Sequence, residues 1–465
     1  MRRRPEVDQS EFAMAAAANR GMTRRSFLIA GAATVGGIGA AAYAWNRFAK
    51  PLLESSGPSG QGIIRGEPLA LTSSGTLLDT DFPDQCARGE FLGFLPFRSP
   101  EEAEFRGKMG HNSHGGHEAR LCTDVATLLM PQSRLTPNDQ FFIRTEYPDL
   151  LKPSKSWTIK VHGEVKQPQD VPLDSLRDSV ESRGPVLLEC SGNAALLKFG
   201  LLSVADWAGI PIEKVIKLAH PTEKAKAILI KGFDDDTNLP DNGPPYRTHS
   251  WPTCSWVFPI ETLVNAGAFL ATQMNGAPLP KDHGAPVRLI VPGWYGCTEV
   301  KWVNEIKFVD DTEKATWQML EFSDRTNQEL HQVRGFYHKH GPTLACDYRP
   351  GTIDQNAIPV RVEQWKVAGK IRYRVVGITW GGNAGRQRTE KFRIRFVYSG
   401  AATKAEPVLF CKAVTSNSQY GIWMHTFAAR RKGHCRIQIR VDDPNVHLRR
   451  LSSGGWDRGV VIPAV

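Results

Sequence analysis

Cys190 closes the run Gly184-Pro-Val-Leu-Leu-Glu-Cys190-Ser-Gly-Asn193, an apolar stretch that ends in one thiol and a Gly-Asn turn. The pattern presents a single soft sulfur at the end of a rigid element. No second Cys or His stands at zinc-finger spacing around it, so a four-ligand zinc site explains it poorly. A lone thiolate offered to something bulky is a nucleophile, or a soft ligand to a metal that brings its other ligands along. A thiol-based hydrolase would need a placed His beside the sulfur, and the motif supplies none. His111, His114 and His117, near Cys122, form a second cluster with metal-ligand chemistry. Gly115-Gly116 breaks the helix their spacing would need, so a polar surface loop is the expectation there. Asp234-Asp-Asp236 reads as a solvated turn.

Three further segments accompany the Cys190 motif, which is itself followed by Ala205-Asp-Trp207-Ala-Gly-Ile-Pro. They are Leu135-Thr-Pro-Asn-Asp-Gln-Phe-Phe-Ile-Arg144, then Met274 to Lys301-Trp302 with Asp282-His283-Gly284, Arg288 and Pro292-Gly293 inside it, and Gly377-Ile-Thr-Trp380 with Arg386. In this order, across residues 130–445, they resemble the sulfite oxidase family of molybdopterin enzymes. The resemblance implies a molybdenum held by a pterin dithiolene and one protein thiolate, Cys190, with oxygen-atom transfer at a Mo–oxo centre. Thiolate is a soft donor and the remaining ligands come with the cofactor, so one Cys suffices. His283, Arg288 and Lys301 then read as pterin and phosphate holders, since Arg grips phosphate bidentately. Gly284, Gly293 and Gly296 would let backbone approach the ring system, and Asn193 would orient the turn behind Cys190. Arg144 and Arg386 match arginines aimed at the substrate pocket, and Trp294 and Tyr295 are wall candidates.

The sequence also departs from the family. Thr145-Glu146-Tyr147 replaces an Asn-His pair, so a cofactor-binding His is missing there. Ala194 and Ala195 stand where sulfite oxidases place arginine, a family tryptophan falls at Leu197, and the active-site tyrosine falls at Cys254 or Ser255. A doubly charged anion binds poorly once such charged contacts are gone. The resemblance therefore implies a sulfite-dehydrogenase-like enzyme with an altered pocket. The alternative is a reductase of sulfoxide-type substrates. From outside the class, a cofactor-free binding protein on the same fold is the rival, against which the intact Cys190 and pterin motifs argue.

The elements that must position these residues follow from the pattern. Phe141–Arg144 and Trp157–His162 alternate as strands do, Val204–Ile216 reads as a turn into a short helix, and Ala225–Ile230 and Val287–Val291 read as strands. Ile260–Ala268 is helix-like. Strands and helices mix without a βαβ rhythm, so the class is α+β. After residue 325 the stretches at Ile371, Lys391 and His434 alternate apolar with charged between Gly-rich turns, as one-face-buried antiparallel sheet does. The expected organisation is a signal segment 1–44, an arm or linker 45–125, a molybdopterin-binding domain 126–315, an immunoglobulin-like β-sandwich 325–448 of dimerisation type, and a tail 449–465.

Thr23-Arg24-Arg25-Ser26-Phe27-Leu28 followed by an apolar Gly/Ala-rich run to Ala44 has the form of a twin-arginine export signal. It implies a periplasmic protein, membrane-associated if the signal is retained. The net charge of +10 forms no dense basic block with interleaved aromatics, which argues against nucleic acid. The eight cysteines include no Cys-x-x-Cys-His for covalent haem. Without haem, electrons must pass through a separate protein, with a c-type cytochrome as the expected partner. Cys411 and Cys435 are expected to be buried and apolar in character.

Overall fold

In the computed structural model the residues described are 89–97, 121–129, 135–145, 151, 156–193, 198–233, 254–329, 331–332, 339–382, 392–398, 401–411, 419–441 and 457–463. All belong to the unit Gly62–Val465. The Arg24-Arg25 segment, the His111–His117 cluster, Ala194, Ala195, Leu197, Asp234–Asp236 and Arg386 lie outside the described residues.

Two sheets form the body around Cys190. The first is mixed, in the order β3 (Gln169–Pro172), β2 (Thr158–Gly163), β11 (Val303–Val309), β6 (Ala227–Gly232), β7 (Ser255–Pro259), with β2 and β11 parallel. The second is antiparallel, in the order β10 (Arg288–Ile290), β8 (Phe269–Met274), β5 (Leu202–Pro211), β4 (Glu181–Glu189), with β9 (Ala277–Pro278) on β8. The β4 end Val-Leu-Leu-Glu and most of β5 are buried without alternation, because apolar side chains cover both faces. Helices are few and short. α1 (Ile212–Ala219) and α2 (Ile260–Asn265) each begin directly after the proline that ends a strand, Pro211 and Pro259. α3 (Trp317–Glu321) starts at Thr316, whose side chain accepts from Met319 N.

Two more antiparallel sheets follow. One runs β1 (Glu90–Leu95), β14 (Asn356–Val367), β15 (Lys370–Trp380), β20 (Tyr420–Phe427), β19 (Leu409–Cys411). The other runs β17 (Ala401–Ala402), β16 (Phe392–Tyr398), β21 (Gly433–Val441), β22 (Arg458–Ile462), with β18 (Glu406–Pro407) on β16. The sheets meet at Phe396 and Phe427, whose rings stack with centroids 3.9 Å apart. The β14–β15 hairpin closes with two positive-φ residues, Ala368 at 48° and Gly369 at 76°, the turn geometry that suits strand twist. The pair β12 (His331–Gln332) and β13 (Lys339–His340) stands apart.

Several expectations change. Phe141–Arg144 is not a strand: only Ile143 bridges, to Leu121. Its backbone is held by side chains instead, with Phe142 N donating to Ser203 Oγ at 3.1 Å after a turn in which Gln140 N donates to Pro137 O. Val204–Pro211 is strand rather than turn, with the helix starting at Ile212. The arm 45–125 contributes β1 and the tail 449–465 contributes β22, so both ends pair into the C-terminal sheets. Cys435 is buried as expected, and the Cys411 side chain lies outside the described residues.

Candidate active site

The end of β4 delivers Cys190 to the wall of a cleft that encloses about 920 Å³, open solvent at its mouth included. Cys190 is fixed by three contacts, two at its backbone and one at its sulfur. Cys190 N donates to Leu201 O at 3.0 Å, Asn193 N donates back to Cys190 O at 2.9 Å, and Gly192 N approaches Sγ at 3.4 Å. Behind it Asn193 is buried and ties the end of β4 to the residue before β5: Nδ2 donates to Glu189 Oε1 and Oδ1 accepts from Leu201 N. Glu189 is fully buried, and its other oxygen accepts from Trp380 Nε1 of β15 at 2.8 Å. A buried carboxylate is tolerated only with such partners. Gly296 closes the back, where a Cβ would stand 3.3 Å from Glu189 O.

The opposite wall carries the basic group. His283 and Arg288 are buried, and Arg288 donates from Nη1 to His283 O at 3.0 Å and lies 5.6 Å from the Trp207 ring. Lys301 donates to Asp282 O at 2.9 Å and to Thr145 O. Gly284 sits at φ 108°, where a Cβ would stand 2.9 Å from Arg288 Cβ, so only glycine allows this approach. Burial, with the charges of Lys301 and Arg288, pulls the His283 imidazole down to about 4, so the ring is neutral near pH 7. Burial pushes Glu299 up to about 8, an effect the Arg288 charge partly offsets. Arg288 itself is pulled below its usual range by burial.

Arg144, Cys190, His283, Arg288 and Lys301 thus line one cleft, although they span 158 positions of sequence from residue 144 to residue 301. Asn193 stands behind the wall, bonded to Glu189 and Leu201. Gly293, Trp294 and Tyr295 do not line the cleft. Gly293 O accepts from Ile353 N at 2.8 Å, and Tyr295 is core, its hydroxyl accepting from Asp354 N. Sequence reasoning missed Gln318, Phe322, Cys297 and the Glu189–Trp380 bond, and it named Cys254 only as a replacement for tyrosine. Gln318 Nε2 donates to Cys297 O and its Oε1 accepts from Ser255 N, which ties α3 to the cleft. Two guanidinium nitrogens in the cleft, Arg144 Nη1 and Arg288 Nε, are buried without a hydrogen-bond partner. Orphaned donors of this kind call for a ligand. Among the described residues no three His, Cys, Asp or Glu side chains gather to hold a metal by themselves.

Comparison with known proteins agrees with this geometry. The family described as "Oxidoreductase molybdopterin binding domain" matches residues 145–317. The protein-methionine-sulfoxide reductase catalytic subunit MsrP of Xanthomonas axonopodis pv. citri (strain 306) is 32% identical over 193 residues, covering 40% of this chain and 57% of that protein. The mitochondrial sulfite oxidase of Macaca fascicularis is 26% identical over 279 residues, covering 54% of this chain and 49% of that protein. The nitrate reductase [NADH] of Spinacia oleracea is 29% identical over 222 residues, covering 45% and 22% respectively. The chain therefore spans about half the length, or less, of the curated relatives it matches. Residues 145–317 therefore match a molybdopterin-binding oxidoreductase domain, and this match with relatives of these kinds supports the sulfite oxidase family of molybdopterin oxidoreductases.

Proposed function

We propose that the chain is a molybdenum-dependent reductase of sulfoxide-type substrates, ahead of the sulfite-dehydrogenase reading. One observation carries the choice: the uncharged side chains Cys254, Cys297, Gln318 and Phe322 line the cleft itself, while the Arg325 guanidinium lies against the Phe322 ring outside that lining. A neutral S=O group needs a directed donor more than a ring of cations, and Arg144, with its buried unpartnered Nη1, offers one. The MsrP relatives, 30–32% identical, point the same way.

The cleft fits the family's cofactor. Cys190 supplies the single soft ligand, Arg288 and Lys301 supply charge for a phosphate-bearing group, the bare Gly284 backbone packs closely against both, and two orphaned guanidinium nitrogens await acceptors. When bound, the molybdenum–pterin group supplies two-electron oxygen-atom exchange with a substrate sulfur. The protein's part is to hold and to exclude. Glu189 and Asn193 fix the Cys190 turn, neutral His283 offers a hydrogen bond without adding charge, Arg144 orients the oxygen, and Phe322 shields the floor from water. The remaining parts of the reading are export through the Arg24-Arg25 segment to the periplasm, electrons from a separate carrier protein, and an immunoglobulin-like pairing of the C-terminal sheets through which copies dimerise.

One observation favours sulfite oxidation: the sulfite oxidase match runs over 279 residues, farther than the MsrP match. The test is turnover by protein made in a host that builds the cofactor. A reduced dye with methionine sulfoxide and other sulfoxides is set against an oxidised dye with sulfite. Faster sulfoxide-dependent dye oxidation is expected. Sulfite turnover with none on any sulfoxide would overturn the proposal.

A further inference from the structure

Arg325 stands on the short turn Asp324–Thr326, directly after the segment that carries Gln318 and Phe322 into the cleft. Its Nη1 lies 3.4 Å from the position a Cβ on Gly192 would take, and that same position lies 3.7 Å from Cys190 Sγ. The guanidinium also rests 5.5 Å from the centroid of the Phe322 ring. The Arg325 charge reaches the Cys297 thiol, which burial otherwise pushes far above its usual range. Among the described residues no carboxylate pairs with Arg325. None of the sequence motifs includes it.

We infer that Arg325 is a positioning residue for Cys190, acting through the Gly192 turn on the charge of the sulfur. The inference rests on the reading of Cys190 as the protein ligand of a metal. A thiolate ligand passes electron density to its metal, and fixed charges or dipoles near the sulfur govern how much. Inside a partly buried site such a charge is screened far less than on the surface. Glycine at 192 keeps the gap between guanidinium and sulfur clear, since any side chain there would enter it. A cation in this place stabilises the more negative, reduced state of the centre and raises its reduction potential. With Ala194 and Ala195 following the motif, Arg325 is a cation that another part of the chain brings near the sulfur, across the Gly192 gap.

The test is a redox titration of holoenzyme, followed by the paramagnetic signal of the metal, on wild type, Arg325→Gln, Arg325→Lys, Gly192→Ala and Cys190→Ser. Arg325→Gln is expected to shift the midpoint to lower potential and to alter the signal, at wild-type metal occupancy. Arg325→Lys should stay near wild type. Gly192→Ala, which places a methyl between guanidinium and sulfur, should shift in the same direction by less. A wild-type midpoint and signal in Arg325→Gln would overturn the inference. Should that variant not load metal, Gly192→Ala decides: a lowered midpoint supports the inference and an unchanged one overturns it. Cys190→Ser separates the two levels. Retention of the wild-type signal there defeats the ligand reading itself, whereas its loss beside an unmoved Arg325→Gln defeats the role of Arg325 alone.

Discussion

The Cys190 turn owes its geometry to residues that never touch the cleft. Asn193 bonds both Glu189 and the Leu201 backbone, so Asn193→Ala removes one hydrogen bond from a buried carboxylate and one from a buried N–H. That should cost about 1–3 kcal/mol of stability in urea denaturation. If the turn orients a metal ligand, it should also cost about 10- to 100-fold in metal retention. Gly284→Ala meets both a positive φ and a Cβ contact of 2.9 Å with Arg288, and should lose about 1–3 kcal/mol by the same assay. Cys190, His283, Arg288 and Lys301 were legible in the sequence, because each sits in a short motif whose chemistry is local. Glu189 and Arg325 were not: their meaning lies in Trp380 and Gly192, positions that only the fold brings near.

At the scale of elements, side-chain hydrogen bonds join the two halves of the fold behind the site. Trp380 at the end of β15 donates to Glu189 at the end of β4, and nearby Gln419 Oε1 accepts from Leu187 N at 3.1 Å. The C-terminal sheets therefore brace the strand that presents Cys190. Trp380→Phe keeps most of the ring and removes the donor. It should destabilise the protein by about 1–3 kcal/mol and loosen the Cys190 turn, seen as faster amide exchange at Leu188 and Glu189. The long alternating strands of the C-terminal sheets were readable from their period of two. Phe141–Arg144 carried the same alternation and misled, because Pro137 and Asn138 turn the chain before it. Ser203 Oγ then accepts from Phe142 N, and Asn275 Nδ2 holds the preceding turn through Asn138 Oδ1. The strand β5 was hidden for the opposite reason: burial on both faces erases the alternation that would announce it.

Across the whole molecule the cleft places two groups of opposed pH response in one buried cluster. His283 falls from an ordinary 6.5 to about 4 on folding, so the unfolded chain binds the proton more tightly. Its stabilising contribution is present above pH 6.5 and is lost as pH falls through 4, by about 3 kcal/mol. Glu299 rises from 4.5 to about 8, so its contribution is present below pH 4.5 and is lost as pH rises through 8. Cofactor-free protein should therefore be most stable between these limits, and Glu299→Gln should flatten the alkaline limb in urea midpoints measured against pH. A limb unchanged by that substitution would remove Glu299 from the account. The central claim concerns one atom, the Cys190 sulfur, and X-ray absorption at the molybdenum edge, with metal analysis, reads it directly. Stoichiometric molybdenum is expected in wild type, with a protein thiolate bound to it that Cys190→Ser removes. Metal retained by Cys190→Ser with the same sulfur coordination would contradict it.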